Sequence, residues 1–246
     1  MRLKSVIKYY LSDMKIGVIT FYVAMVAIFG LLGGIISISI SNRDNSFIGG
    51  GEMAAAIFLF VVGLNSFKHN FLFLSINGIP RKLLFKGFVL AALIICTIMA
   101  AIDVTYANIF AQFLNYKSAF YQLYWGWTEN TSWPLVFIID LLWTIATYLF
   151  AIMTGYFITG LYYKMTKLPK IIVSIGVPGL LFVVLPIIEE TVTKGKIFRW
   201  IEMVTLKLNG LSNGMNPSVA VLSYVVGAAF AAGLSFILVR RAVVKE

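Results

Sequence analysis

Residues 67–110 read FKHNFLFLSINGIPRKLLFKGFVLAALIICTIMAAIDVTYANIF. The stretch opens on a mostly apolar piece, Phe67–Ile76, with Lys68, His69 and Asn70 near its start. Asn77-Gly78 follows and reads as a helix stop, because glycine accepts the left-handed backbone that ends a helix. Pro80 then restarts a helix at its first turn, where the missing N–H costs nothing. Arg81, Lys82 and Lys86 lead into an apolar run over 87–110, whose only charged residue is Asp103. A run of that length exceeds the ~20 residues that an α-helix needs to cross the hydrocarbon of a bilayer.

Five more such runs lie outward from this one, at 16–40, 53–66, 134–162, 170–188 and 218–239. The run at 53–66 is short for a span, so it continues either outward into Gly49–Glu52 or inward into Phe67–Phe71. The chain of 246 residues is 60% hydrophobic and 12% charged, with a mean hydropathy of +0.92. A water-soluble domain of this size requires far more polar surface. The expectation is an all-α integral membrane protein with six transmembrane helices, forming a single transmembrane domain over residues 1–246.

Residues 2–15 set Leu3, Val6, Ile7, Tyr10, Leu11 and Met14 on one helical stripe, away from Arg2, Lys4, Lys8 and Ser12. That pattern predicts an N-terminal interfacial helix with its apolar side in lipid. The run after it is longer than a signal-peptide core and reads as a permanent first span. Of the 20 Lys and Arg residues, fourteen fall at the N-terminus, the C-terminus and the connections after the second and fourth spans; six fall on the other side. The richer side is expected in the cytoplasm, which puts both termini inside.

The connections on the other side have their own pattern. Phe113, Tyr116, Phe120, Tyr121, Tyr124, Trp125, Trp127 and Trp133 suggest an aromatic belt at headgroup level. Over 196–208, Ile197, Trp200, Ile201, Val204 and Leu208 share a face, as in a short helix at the outer leaflet. Gly30 and Gly34 in the first span, and Gly227, Ala228, Ala231 and Ala232 in the sixth, are positions for close helix approach. Pro178 and Pro186 predict a kinked fifth span.

Several chemistries are disfavoured. The net charge of +10 sits at the ends of apolar runs, which points to topology and anionic lipid rather than nucleic acid. Cys96 is the sole cysteine and His69 the sole histidine, so an internal disulfide is impossible and a His/Cys metal or haem site is not expected. The chain has no G-x-x-x-x-G-K-[ST] phosphate loop and no identifiable catalytic cluster.

Asp103 and Asp140 are the carboxylates within predicted spans, where an Asp costs about 3 kcal/mol at a helix centre. Asp103 follows Lys86 by ~25 Å of helix rise and Asp140 follows Pro134 by ~9 Å, which puts both in the outer half at comparable depth. They are candidates for holding the cationic groups of a passing substrate in an outer vestibule. The alternative is that each is satisfied within the protein, by a loop Lys or Arg or by a Thr or Tyr of a neighbouring helix.

The segment NGIPRKLLFKG after a short apolar helix resembles the cytoplasmic coupling-helix region of ABC type-2 exporter permeases. Among these it is most similar to the compact Gram-positive permeases that export phenol-soluble-modulin-type peptides. The likeness covers the whole chain in layout and about twenty residues in motif. It implies a permease that pairs with a second permease copy, as a homodimer or with a close paralogue, in the bacterial plasma membrane. It also implies a separate ABC ATPase subunit holding ATP and Mg, with no cofactor in this chain, and an amphipathic peptide as substrate. On the same grounds the coupling segment 67–80 would bind the ATPase through Phe71, Leu74, Ser75, Asn77 and Gly78, with Arg81 anchoring the turn. A non-transporting immunity or sensor protein that binds membrane-active peptides is the alternative, and an intramembrane lipid enzyme ranks behind both.

Overall fold

The computed structural model describes residues 2–39, 48–113, 116–212 and 214–240. Arg43, Arg241 and Lys245 lie outside these residues, as do the side-chain surroundings of the Gly30/Gly34 pair. The chain runs as α1 (Arg2–Ser39), β1 (Ile48–Gly49), α2 (Gly51–Ser66), α3 (Lys68–Ile76), α4 (Arg81–Phe113) and β2 (Tyr116–Lys117). It continues as α5 (Ala119–Leu123), α6 (Trp125–Glu129), α7 (Trp133–Lys164), α8 (Lys167–Gly179), α9 (Leu185–Ile188), α10 (Lys196–Leu208) and α11 (Pro217–Arg240). Among the described residues, six helical stretches are long and apolar enough to cross a membrane: Leu3–Ile28, Gly51–Ile76, Arg81–Gln112, Trp133–Lys164, Lys167–Thr191 and Pro217–Arg240. The chain is thus a multi-pass, almost entirely helical protein of membrane type.

Helix α7 is the hub, packed extensively against both α2 and α11. Glycine makes the first of these contacts possible. A Cβ on Gly63 would stand 2.2 Å from the Ile152 carbonyl oxygen, and one on Gly155 would stand 2.2 Å from the Phe60 carbonyl oxygen. The two backbones therefore cross in direct contact, and the Thr159 hydroxyl donates to the Leu64 carbonyl at 2.6 Å just beyond. The small face of α11 behaves as expected: Ala228 and Ala231 are buried, and the Phe150 ring lies against Gly227.

The N-terminal helix differs from expectation. α1 runs unbroken from Arg2 to Ser39, with no separate in-plane helix over 2–15. Half of its apolar stripe is covered by the chain's own helices. Val6, Tyr10 and Met14 are buried, with Val6 lying where a Cβ on Gly87 would be and Tyr10 edge-on to Phe88. Amphipathic spacing fixes which residues share a face, but α4 supplies an apolar partner that competes with lipid for that face.

The aromatic belt is also partly a core. Tyr116, Phe120 and Tyr124 are buried, and Phe120 and Tyr124 pack with Trp143, while Trp125 and Trp133 remain exposed. The Tyr124 hydroxyl donates to the Asn209 carbonyl and that of Tyr224 to the Asn209 side chain, each at 2.8 Å. These rings close the bundle at the end where β1 and β2 pair in parallel.

The fifth span stands apart. From Lys167 to Thr193 the helix passes through two wider π-helical segments, Leu180–Val184 and Glu189–Thr193, beside the prolines that predicted a kink. Its side chains are nearly all exposed, including Ile171, Ile172, Ile175 and Phe182. Glu189 is the exception. It accepts from the backbone N–H groups of Ile197 and Phe198 and from the Thr193 hydroxyl, thereby capping the positive end of α10.

Candidate functional site

At the basic end of the bundle, the expected helix-stop-helix is present in detail. The Gly78 N–H donates to the Ser75 carbonyl at 3.1 Å and the Ile79 N–H to the Leu74 carbonyl at 3.0 Å. Gly78 has a φ of 70°, so this is a paired-bond helix terminus of the kind a left-handed glycine permits. Pro80 stands one residue earlier than a first-turn proline, with its carbonyl accepting from Leu83 and Leu84. Arg81, expected to anchor the turn, instead ties α4 to α11: its Nη1 donates to the Arg240 carbonyl at 3.1 Å, a cation at the negative end of α11.

Two of the proposed contact residues do not face outward. Phe71 and Leu74 are buried in the chain's own core, Phe71 between the rings of Phe67 and Tyr163. The reason is phase: only Phe67 separates α2 from α3, so α3 continues the second span and its buried i, i+3 positions turn toward α4 and α7. The available surface is instead Phe73, Ile76, Asn77 and Gly78, with Ile76 at 79% exposure and Ser75 half-buried.

A polar cluster missed in the sequence holds this segment. Asn70, buried, accepts from the Tyr9 hydroxyl and donates to Asp13, both at 3.0 Å, and Phe73 stacks on Tyr9. α1 and α3 are therefore fastened together. An Asn beside a Lys and a His reads as a surface residue until the partner helix is known.

At the opposite end, Asp103 and Asp140 are both buried, but each has its own partners. Asp103 accepts from the Tyr22 hydroxyl of α1 at 2.9 Å and from the Tyr148 hydroxyl of α7 at 2.5 Å. Asp140 accepts from Thr144 on its own helix at 3.4 Å, and its second oxygen is buried without a hydrogen-bond partner. The expected depths also differ. Tyr148, which reaches Asp103, lies eight residues or ~12 Å further along α7 than Asp140.

Glu52, a third buried carboxylate, was not singled out from the sequence. It sits in the first turn of α2, accepts the Ala119 N–H at 3.3 Å, and lies within electrostatic reach of both aspartates. The signal was its position at a helix start, but the uncertain outer limit of the second span hid it. Glu52 and Asp103 open into a groove of about 430 Å³ between α1 and α4, walled by Val18, Tyr22, Val26 and Tyr106. Asp140 does not line it. The groove combines apolar walls with two carboxylates at its base, a chemistry suited to an amphiphile carrying a cationic group.

The fold and these sites define a multi-pass helical protein of membrane type, with an apolar-walled, carboxylate-bearing groove towards the end opposite the basic one. No family model matches the chain, and neither do any curated proteins or solved structures. Among the described residues there is no cluster of three or more His, Cys, Asp or Glu side chains able to hold a metal ion.

Proposed function

We propose that this chain is the permease subunit of an ATP-driven exporter for amphipathic cationic peptides or similar amphiphiles. ATP is bound and hydrolysed by a separate ATPase subunit, and a second permease copy completes the pathway. The single observation that carries the reading is α3 with its glycine-terminated tip, which presents Phe73, Ile76 and Asn77 at the basic end of the bundle. An exposed apolar tip fixed to two spans is suited to receive a partner's motion and pass it on.

The fastening of α3 to α1 supports this, because movement of the tip carries the wall of the Asp103 groove with it. The basic end is the cytoplasmic one on this reading, with both chain ends there. Substrate amphiphiles enter the groove from the membrane, with their cationic groups held by Asp103 and Glu52.

The test is co-purification with the cognate ATPase, followed by ATP hydrolysis with and without a cationic amphipathic peptide. The expected result is a stoichiometric complex whose hydrolysis rises with peptide. A chain that binds peptide but no ATPase would instead be the immunity or sensor protein.

A further inference from the structure

We infer that the cleft between α3, the end of α7 and the start of α8 is a binding site for the headgroup of an anionic phospholipid. The cleft holds about 730 Å³ and is lined by Lys68 from α3 and by Lys167 and Lys170 from the first turn of α8. Among the described residues that line it there is no carboxylate. Lys170 is partly buried, whereas Lys68 and Lys167 are exposed, so two helices contribute lysines to the lining of one cleft.

Backbone and side-chain donors add to the same field. Thr166 precedes α8 without making a side-chain cap, so the N–H groups of Lys167 and Leu168 are not capped by it; Pro169 has no N–H, and that of Lys170 donates to the Thr166 carbonyl at 3.3 Å. The Thr166 side chain itself lines the cleft, as does Tyr162, whose hydroxyl lies 3.2 Å from Ser174.

Lipid, rather than free phosphate, is indicated by what continues from the cleft. Leu168, Ile171, Ile172 and Ile175 are all more than half exposed on α8, so among the described residues no other span covers them. A phosphate held by the lysines would lay its acyl chains along this face, so that one molecule satisfies both the charge and the apolar surface. The same lipid would hold the otherwise unpacked fifth span to the rest of the bundle. This site is separate from the groove and from the ATPase-facing tip, and it stands whether or not the chain is an exporter.

The test uses delipidated full-length protein in a non-ionic detergent, titrated with phosphatidylglycerol, phosphatidylcholine or glycerol 1-phosphate and read by native mass spectrometry. Phosphatidylglycerol is expected to bind at one tight site, phosphatidylcholine far more weakly, and glycerol 1-phosphate without saturation. The K68Q/K167Q/K170Q variant should lose on the order of a hundredfold in phosphatidylglycerol affinity, and K170Q alone about fivefold. The control variant K194Q/K196Q/K207Q removes equal charge at the other end and should bind as the parent does. Unchanged affinity in the triple variant overturns the site, as does equal binding of the two lipids or an equal loss in the control. Binding of glycerol 1-phosphate as tight as that of the lipid overturns the lipid assignment. Should the triple variant fail to fold, K170Q decides alone: no loss of affinity there overturns the site.

Discussion

Replacing Gly63 by alanine is the sharpest test of the architecture, because one methyl group must enter a contact that has no room for it. The new Cβ would lie 2.2 Å from the Ile152 carbonyl oxygen and 3.0 Å from the Tyr156 nitrogen. An ordinary carbon–oxygen contact is about 3.5 Å, so α2 and α7 must separate by roughly 1 Å. A gap of that size forfeits a quarter to a half of the dispersion attraction along the seam, and small-to-large changes in packed sites cost about 1–3 kcal/mol. Taking about 3 kcal/mol for a backbone obstacle that cannot rotate away, Tm should fall by roughly 6–12 °C for a chain of this size. Gly155→Ala meets the Phe60 carbonyl at the same 2.2 Å and should behave alike. The double variant should cost little more than either single one, since one separation accommodates both methyl groups. The control is Gly176→Ala on α8, where the nearest atom is 4.0 Å away and alanine is the better helix former. Thermal unfolding of purified protein in detergent, followed by fluorescence, reads all four. A Gly63→Ala protein as stable as the parent, or strict additivity with Gly155→Ala, would refute the close crossing.

Three further outcomes are expected. Ile76→Asp should abolish ATPase binding with little change in Tm, whereas Leu74→Asp should lower Tm by burying an unpaired charge; pull-down and unfolding together check this, and loss of binding in neither variant removes the coupling role. Asp103→Asn should weaken export of cationic peptides more than neutral ones, while Asp140→Asn, outside the groove, should affect both alike through stability; transport assays across peptide charge separate them, and equal charge selectivity in the two variants defeats the groove assignment. Cysteines introduced at Asn130 and Lys196 should react with an impermeant reagent outside intact cells and one at Thr166 should not, against a low background because Cys96 is buried; labelling at Thr166 would reverse the orientation. Ser118, by contrast, is a poor labelling site, being buried as the cap of α5.

The sequence by itself determined the class of the protein and the places where the chain turns. Hydropathy over ~20 residues is a local property, so six apolar stretches could be counted without any coordinates. The Asn77-Gly78 stop was legible for the same reason: a helix ends where one residue must take a left-handed backbone, and glycine does so at least cost. The small face of α11 was legible as well, from residue size alone.

What faces what was decided only by the tertiary structure. The stripe Val6, Tyr10 and Met14 is equally suited to lipid and to a neighbouring helix, and only the approach of α4 at Gly87 selects the second. Phe71 and Leu74 have the composition of a docking surface, but the near-continuity of α3 with α2 turns them inward and leaves Ile76 outside. Asp103 and Asp140 look equivalent along the chain, yet one is met by tyrosines from α1 and α7 and opens into a groove, while the other is enclosed. In a membrane nearly every helix face is apolar, so hydropathy no longer distinguishes inside from outside. The choice falls to backbone proximity at Gly63 and Gly155 and to single hydroxyl–carboxylate bonds, which join residues far apart in the chain.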